Sequence, residues 1–190
     1  MPVRLNEVPQ GIIRPLKKLR TAERRASDTL SGLAPLLRVR PEVQYICRFG
    51  AQWASEHPTE PHAWAPFHIV TDGTCILHLT EPDRSIRLAA GDVAVLPHGS
   101  PHVVHGASTP WNAAGSFGIH GRSNGAVLVK SNTAAEPEAQ LVCGRLQFDQ
   151  AGRNLVLAAL PEAIVVPAAA GPDALRMQQL IALVKEELDA

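Results

Sequence analysis

Four side chains in the sequence have types and positions that suit a metal ion: His68, Cys75, His102 and Cys143. Asp72-Gly73 between two apolar runs predicts a two-residue hairpin in which Thr71 pairs with Thr74 and Val70 faces Cys75. Alternation then puts His68, Val70, Cys75, Leu77 and Leu79 on one face, with His68 and Cys75 as diagonal neighbours. A face of Val and Leu carrying one His and one Cys is an interior face, where a polar ring needs a partner. His102 arrives from the run Gly91-x5-Pro97-x-Gly99-x-x-His102, whose glycines permit a positive φ and whose proline fixes a negative one, so that the chain bends and re-aims the imidazole inward. Cys143, on a late strand, adds a second thiol. Two imidazoles and two thiols suit a tetrahedral zinc ion closed to substrate, hence structural or sensory. The competing reading makes the thiols small buried hydrophobes and the imidazoles hydrogen-bonded core residues. Cys143 shares strand parity with Leu141, Arg145 and Gln147, which suits an interior only if Gly144 marks a bulge. Cys47 alternates with Val43 and Tyr45 and stays outside the set.

Strands must position these residues, and the sequence predicts many short ones. Apolar or alternating runs cover 43–49, 67–70, 75–79, 85–88, 93–96, 102–104, 126–129 and 141–148. Turn signals separate most of them, including Glu81-Pro82-Asp83, Gly91-Asp92 and Asn124-Gly125. The expectation is a mainly β sandwich or barrel. A short helix precedes it, with Ser27 as N-cap and Leu30, Leu33, Ala34 and Leu37 at helical spacing before Arg40-Pro41. A second helix follows Asp173, with Met177, Leu180, Ile181, Val184 and Leu188 forming one apolar stripe. That stripe packs on the barrel or on a second copy. The chain stops at Glu187-Leu188-Asp189-Ala190 with no glycine or proline stop, as a domain severed from a longer protein would. Ala168 to Ala170 reads as a loop.

A chain of 190 residues that is 45% hydrophobic is one domain. Its apolar runs fall short of the roughly 20 residues a bilayer span requires, so no membrane role is expected. Residues 1–25 hold seven cations and two anions, leaving the remainder mildly acidic in a chain of zero net charge. The body therefore lacks the basic footprint of a module that grips phosphates itself, and the arm 1–26 reads as a mobile tail or a minor DNA contact. Three cysteines cannot form a disulfide framework, and a reducing, cytoplasmic home is expected.

Gly91-x5-Pro97-x-Gly99-x-x-His102 resembles the second conserved motif of cupins. The first motif departs from that pattern: Phe67 to Gly73 keeps a strand and glycine, but His57 and His62 lack His-x-His spacing and no Glu lies between His62 and Gly73. The three-His, one-Glu site of metal-dependent cupins is therefore not expected. Further fragments follow in order: Ser27-Asp28-Thr29-Leu30-Ser31, Phe67-His68-x-Val70-x-x-Gly73-x-Cys75, the Gly91 to His102 run, Val142 to Asp149, and Asn154-Leu155-x-Leu157-x-Ala159-Leu160-Pro161. Together they resemble the N-terminal cupin-type sensor domain of AraC-family transcriptional regulators, over roughly residues 27–188. The resemblance implies a jelly-roll barrel over 27–162, then a linker and helix over 163–190. It also implies a small-molecule effector, a homodimer, and DNA binding through a helix-turn-helix half beyond this chain.

His68, His102 and Trp64 are the expected ligand contacts; Trp53 and Trp111 are either pocket-mouth or core residues. His57, His62, His78, His98, His105 and His120 read as loop or outward-facing positions, and Arg48 as an anion anchor or an outward strand residue. Ser100 beside His102 lacks a third group, so no nucleophilic machinery is expected and the chain reads as a non-enzyme. The alternative is a small metal-dependent cupin enzyme acting on an organic substrate.

Overall fold

The computed structural model describes residues 38–61, 63–113, 117–124, 127–133, 135–149, 155–168 and 174–189. The arm, the helix expected after Ser27, and His62 lie outside the described residues.

The architecture is mainly β, a curled half-barrel with few helices. The strands are β1 (Val39–Phe49), β2 (Ala54–His57), β3 (Trp64–Thr80), β4 (Asp83–Ala89), β5 (Val93–Val95), β6 (His102–His105), β7 (His120–Asn124), β8 (Val127–Ser131), β9 (Ala139–Phe148) and β10 (Ile164–Val166). One sheet runs β10-β5-β3-β9-β1-β8-β7, antiparallel throughout except for the parallel β1–β8 pair. A second runs β4-β3-β6-β2. β3 belongs to both: Trp64 to Gly73 pairs with β9, and Thr74 to Thr80 pairs with β4.

The hairpin expected at Asp72-Gly73 is not formed. β3 continues through that dipeptide because Asp72 and Gly73 find cross-strand partners in Gln140 and Ala139, with a register shift between Val70 and Asp72. A bulge, not a turn, is the use of this Asp-Gly. Gly73 holds φ at 74°, the Asp72 carboxylate accepts its N–H at 2.8 Å, and a Cβ there would overlap the Glu138 carbonyl. The extra residue reverses strand parity, so Val70, Cys75, Leu77 and Leu79 still share the interior, as alternation across a hairpin would also have given.

The interior cluster joins Cys47, Phe49, Trp53, Val70, Leu77, Leu79, Leu88, Leu96, Leu141 and Cys143. Burying one such Leu contributes about 1.5–3 kcal/mol. Trp53 stacks on Phe49 at 4.3 Å and is a core residue, not part of a pocket mouth. A smaller core forms where Leu157, on the short helix α1 (Leu155–Ala158), meets Ala65 and Phe148. β10 extends the sheet from β5 within the segment expected as a linker.

The last element, α2 (Ala174–Asp189), packs against β3, with Lys185 Nζ 3.8 Å from Asp72 Oδ2. Its apolar stripe divides: Ile181 is buried at 8% exposure and Met177 and Val184 are half-buried, while Leu180 stands 58% exposed, as does Leu183 outside the stripe at 57%. No helix among the described residues is long and apolar enough to cross a membrane.

Candidate metal centre

The expected bend is present. Gly99 has φ 68°, donates its N–H to the Leu96 carbonyl at 3.1 Å and accepts from the Glu60 N–H at 2.9 Å. This delivers His102 to the start of β6, where its Cα partners are His57 on β2 and Leu79 on β3. His68 on β3 has Ala94 and Cys143 as partners. Paired residues share a face, so the pleat drives both rings into the half-barrel.

His57, His68 and His102 converge there, each with one ring nitrogen within 4.8 Å of the others. The His57 ring stacks on His102 at 4.7 Å with an interplanar angle of 1°, and lies 4.9 Å from His68 edge-on. His102 Nδ1 is 2.8 Å from the Ser100 carbonyl oxygen, which can only accept; Nδ1 therefore carries the proton and Nε2 offers a lone pair. His68 Nε2 lies 2.8 Å from that nitrogen, and His68 Nδ1 lies 3.2 Å from Cys143 Sγ. In one tautomer His68 donates to His102 and accepts from the thiol. In the other its Nδ1–H donates to the Cys143 sulfur and Nε2 is free to bind an ion.

Burial, then the neighbouring His102 and Lys130, lowers the His57 pKa to about 3. Burial lowers His102 to about 4 against the opposing Ser100 bond, and burial with His57 beside it carries His68 well below its ordinary value. All three rings are thus neutral near pH 7, as metal ligation requires. Neutral converging imidazoles, two of them anchored through Nδ1, fit a first-row divalent ion, and three protein ligands leave a coordination position open.

The set differs from the expected two-Cys, two-His arrangement. Cys75 lies beyond the bulge opposite Leu88, in the apolar core, where burial followed by Asp92 raises its pKa to about 12; it is absent from the converging donors. Cys143 is the cross-strand partner of His68, which brings its sulfur to Nδ1 rather than among the converging donors. Its hydrogen bond with Cys47, 4.0 Å away, and then burial hold its thiol protonated. Cys47 is a core residue, outside the set as expected. His57 was missed: Ala54-Ser55-Glu56-His57 carries no apolar alternation, and only pairing with β6 turns it inward.

The cluster faces a cavity of about 280 Å³ lined by Tyr45, His57, His68, Lys130, Cys143 and Arg145, among others. Trp64 does not line it; its ring carries the Arg145 guanidinium at 3.8 Å, and Arg145 pairs with Glu42. Arg48 lies on the opposite face of β1 from Cys47, in a separate cavity of about 750 Å³ with Arg122 and Lys185. His78 and His105 are buried, where an outward-facing position and a loop position were expected: His78 bonds Ser85 Oγ at 3.0 Å beneath Trp111, and His105 bonds the Gly106 carbonyl at 2.9 Å. His98 bonds the Leu160 carbonyl at 2.8 Å, and His120 is exposed.

A family model described as Cupin matches residues 28–190. The chain is 28% identical over 142 residues to an uncharacterized HTH-type transcriptional regulator of Haemophilus influenzae, covering 71% of this chain and 43% of the relative. It thus spans less than half the length of that protein. Among solved structures it is similar to ToxT from Vibrio cholerae O395, with 8% identity, a TM-score of 0.42, and 78% of this chain and 46% of the other covered. YhaK from Escherichia coli gives 13% identity, a TM-score of 0.37, and 70% and 42% coverage.

Proposed function

The chain belongs to the cupin family, and we propose that it is the ligand-sensing and dimerisation domain of an AraC-type transcriptional regulator. The observation that carries this reading is the similarity to an HTH-type transcriptional regulator, of which the chain covers 43%. A small effector occupies the chamber at His57 and His68, and DNA is bound by a helix-turn-helix region of the longer regulator. The sensing unit is assigned the span 27–162, and the span 163–190 carries β10, still paired with β5, and α2. The free, buried thiols of Cys47, Cys75 and Cys143 favour a cytoplasmic setting.

β3 is the physical link between effector and output. It carries His68 on one side of the bulge and Asp72 at it, and Asp72 Oδ2 lies 3.8 Å from Lys185 Nζ of α2. An effector that binds one arrangement of β3 more tightly shifts the population of α2 positions by that difference in affinity and no more. The exposed Leu180 and Leu183 of α2 suit contact with a second copy. His57, His68 and His102 would hold the metal ion, for which we propose zinc; when bound it supplies a Lewis-acid position for an effector oxygen or nitrogen.

A second reading has one observation in its favour: an open three-His site beside a chamber also serves a small metal-dependent cupin enzyme. Thermal-shift screening of the zinc-loaded domain, followed by mass spectrometry of each hit, separates the two. A compound that raises Tm and is recovered unchanged supports the sensor. Its conversion to product supports the enzyme and overturns the sensor reading.

A further inference from the structure

Lys130 is the residue of the chamber whose chemistry neither the metal centre nor the sequence reading uses. It lies on β8 with Cα partners Cys47 on β1 and Gly121 on β7, and so shares the inward face with Cys47. Its ammonium rests 3.6 Å from the centroid of the Tyr45 ring. That cation–π contact fixes the charge in place and leaves its N–H donors free to turn toward the cavity. The charge is felt by His57, His68 and Cys143, which places the ammonium field across the chamber.

Arg145, Glu56 and Glu60 also line the cavity. Arg145 is committed to Glu42 and to the face of Trp64. Glu56 alternates with the inward His57 and is exposed, and Glu60 is half-buried. Lys130 presents to this cavity an ammonium seated on a ring face. Such a chamber rewards a ligand that brings one negative charge.

We infer that Lys130 is the anion anchor of the effector, and that the effector is a small monocarboxylate. The size follows from the cavity: about 280 Å³ holds roughly nine groups of water size at ~30 Å³ each. A carboxylate on such a frame accepts from the Lys130 ammonium. This rests on the reading of the chamber as the effector site.

The test is calorimetric titration of the zinc-loaded domain with butyrate, benzoate and phenylacetate, each beside its neutral primary amide, with phenyl phosphate as the other anion. At least one carboxylate binds more tightly than its amide in the wild type. Lys130→Met weakens it about tenfold or more while leaving the amide unchanged, and Lys130→Arg restores part of the loss. Equal binding of every acid and its amide, or full carboxylate affinity in a folded Lys130→Met, overturns the anchor but leaves the sensor pocket standing. Tighter binding of phenyl phosphate overturns the carboxylate assignment. Binding of no compound at millimolar concentration overturns both the anchor and the effector pocket. If Lys130→Met loses its Tm and far-UV spectrum, Lys130→Arg against Lys130→Gln makes the same comparison.

Discussion

At the scale of the residue, the centre of the molecule is a set of imidazoles kept uncharged by burial. His57 and His102, held to about 3 and 4, and His68, held well below its ordinary value, refuse protons that the unfolded chain accepts near 6.5. The unfolded state then binds more protons than the folded one, so stability rises with pH across this window. The contribution is complete above about 6.5 and is lost as pH falls through the folded values. In metal-stripped protein the urea midpoint therefore falls between pH 7 and about pH 5, and His57→Gln falls less steeply; a midpoint indifferent to pH contradicts the neutral cluster. Metal stoichiometry tests the ligand set. Zinc-loaded wild type retains close to one equivalent after desalting, His57→Ala and His102→Ala lose most of it, and Cys75→Ser keeps it. Loss in the Cys75 variant would restore the thiol site that the sequence suggested. His68 and His102 were legible because one sits in an apolar run and the other follows a bend coded by Pro97 and Gly99. His57 and Lys130 were not, because inward direction on β2 and β8 is set by partners distant in sequence.

At the scale of the element, β3 decides the architecture. Asp72-Gly73 has the chemistry of a tight turn, yet a partner strand on one side converts it to a bulge, with consequences for stability. Gly73→Ala must place a Cβ against the Glu138 carbonyl at a positive φ, and should cost about 1–3 kcal/mol in urea unfolding. Gly118→Ala, where the nearest atom to a new Cβ is a His120 ring nitrogen at 3.6 Å, serves as the control and should change stability by under about 0.5 kcal/mol. Equal effects would mean that the bulge does not constrain the strand. Most strands were readable from alternation. β2, β7 and β10 were not, since Ala-Ser-Glu-His, His-Gly-Arg-Ser-Asn and Ile-Val-Val are too short or too polar to show a period of two.

At the scale of the whole molecule, α2 is the outward-facing part of the regulator reading. Its Ile181 is buried and its Leu180 and Leu183 are exposed. If that exposed pair joins two copies, sedimentation of the wild type gives a dimer, and Leu180→Glu with Leu183→Glu gives a folded monomer of unchanged Tm for the barrel. A wild-type monomer at high micromolar concentration removes α2 from the interface. The sequence by itself determined the class of fold, the inward bend at His102 and the apolar stripe of the last helix, because each depends on a local pattern or on glycine and proline backbone limits. Only the tertiary structure decided which side chains meet. His57 stacks on His102 across a strand pair, Cys143 reaches His68 at Nδ1, and Lys130 enters the chamber from a distant strand. The physical reason is register: a shift of one residue turns a side chain to the other face, and register is fixed by long-range pairing that no local pattern encodes.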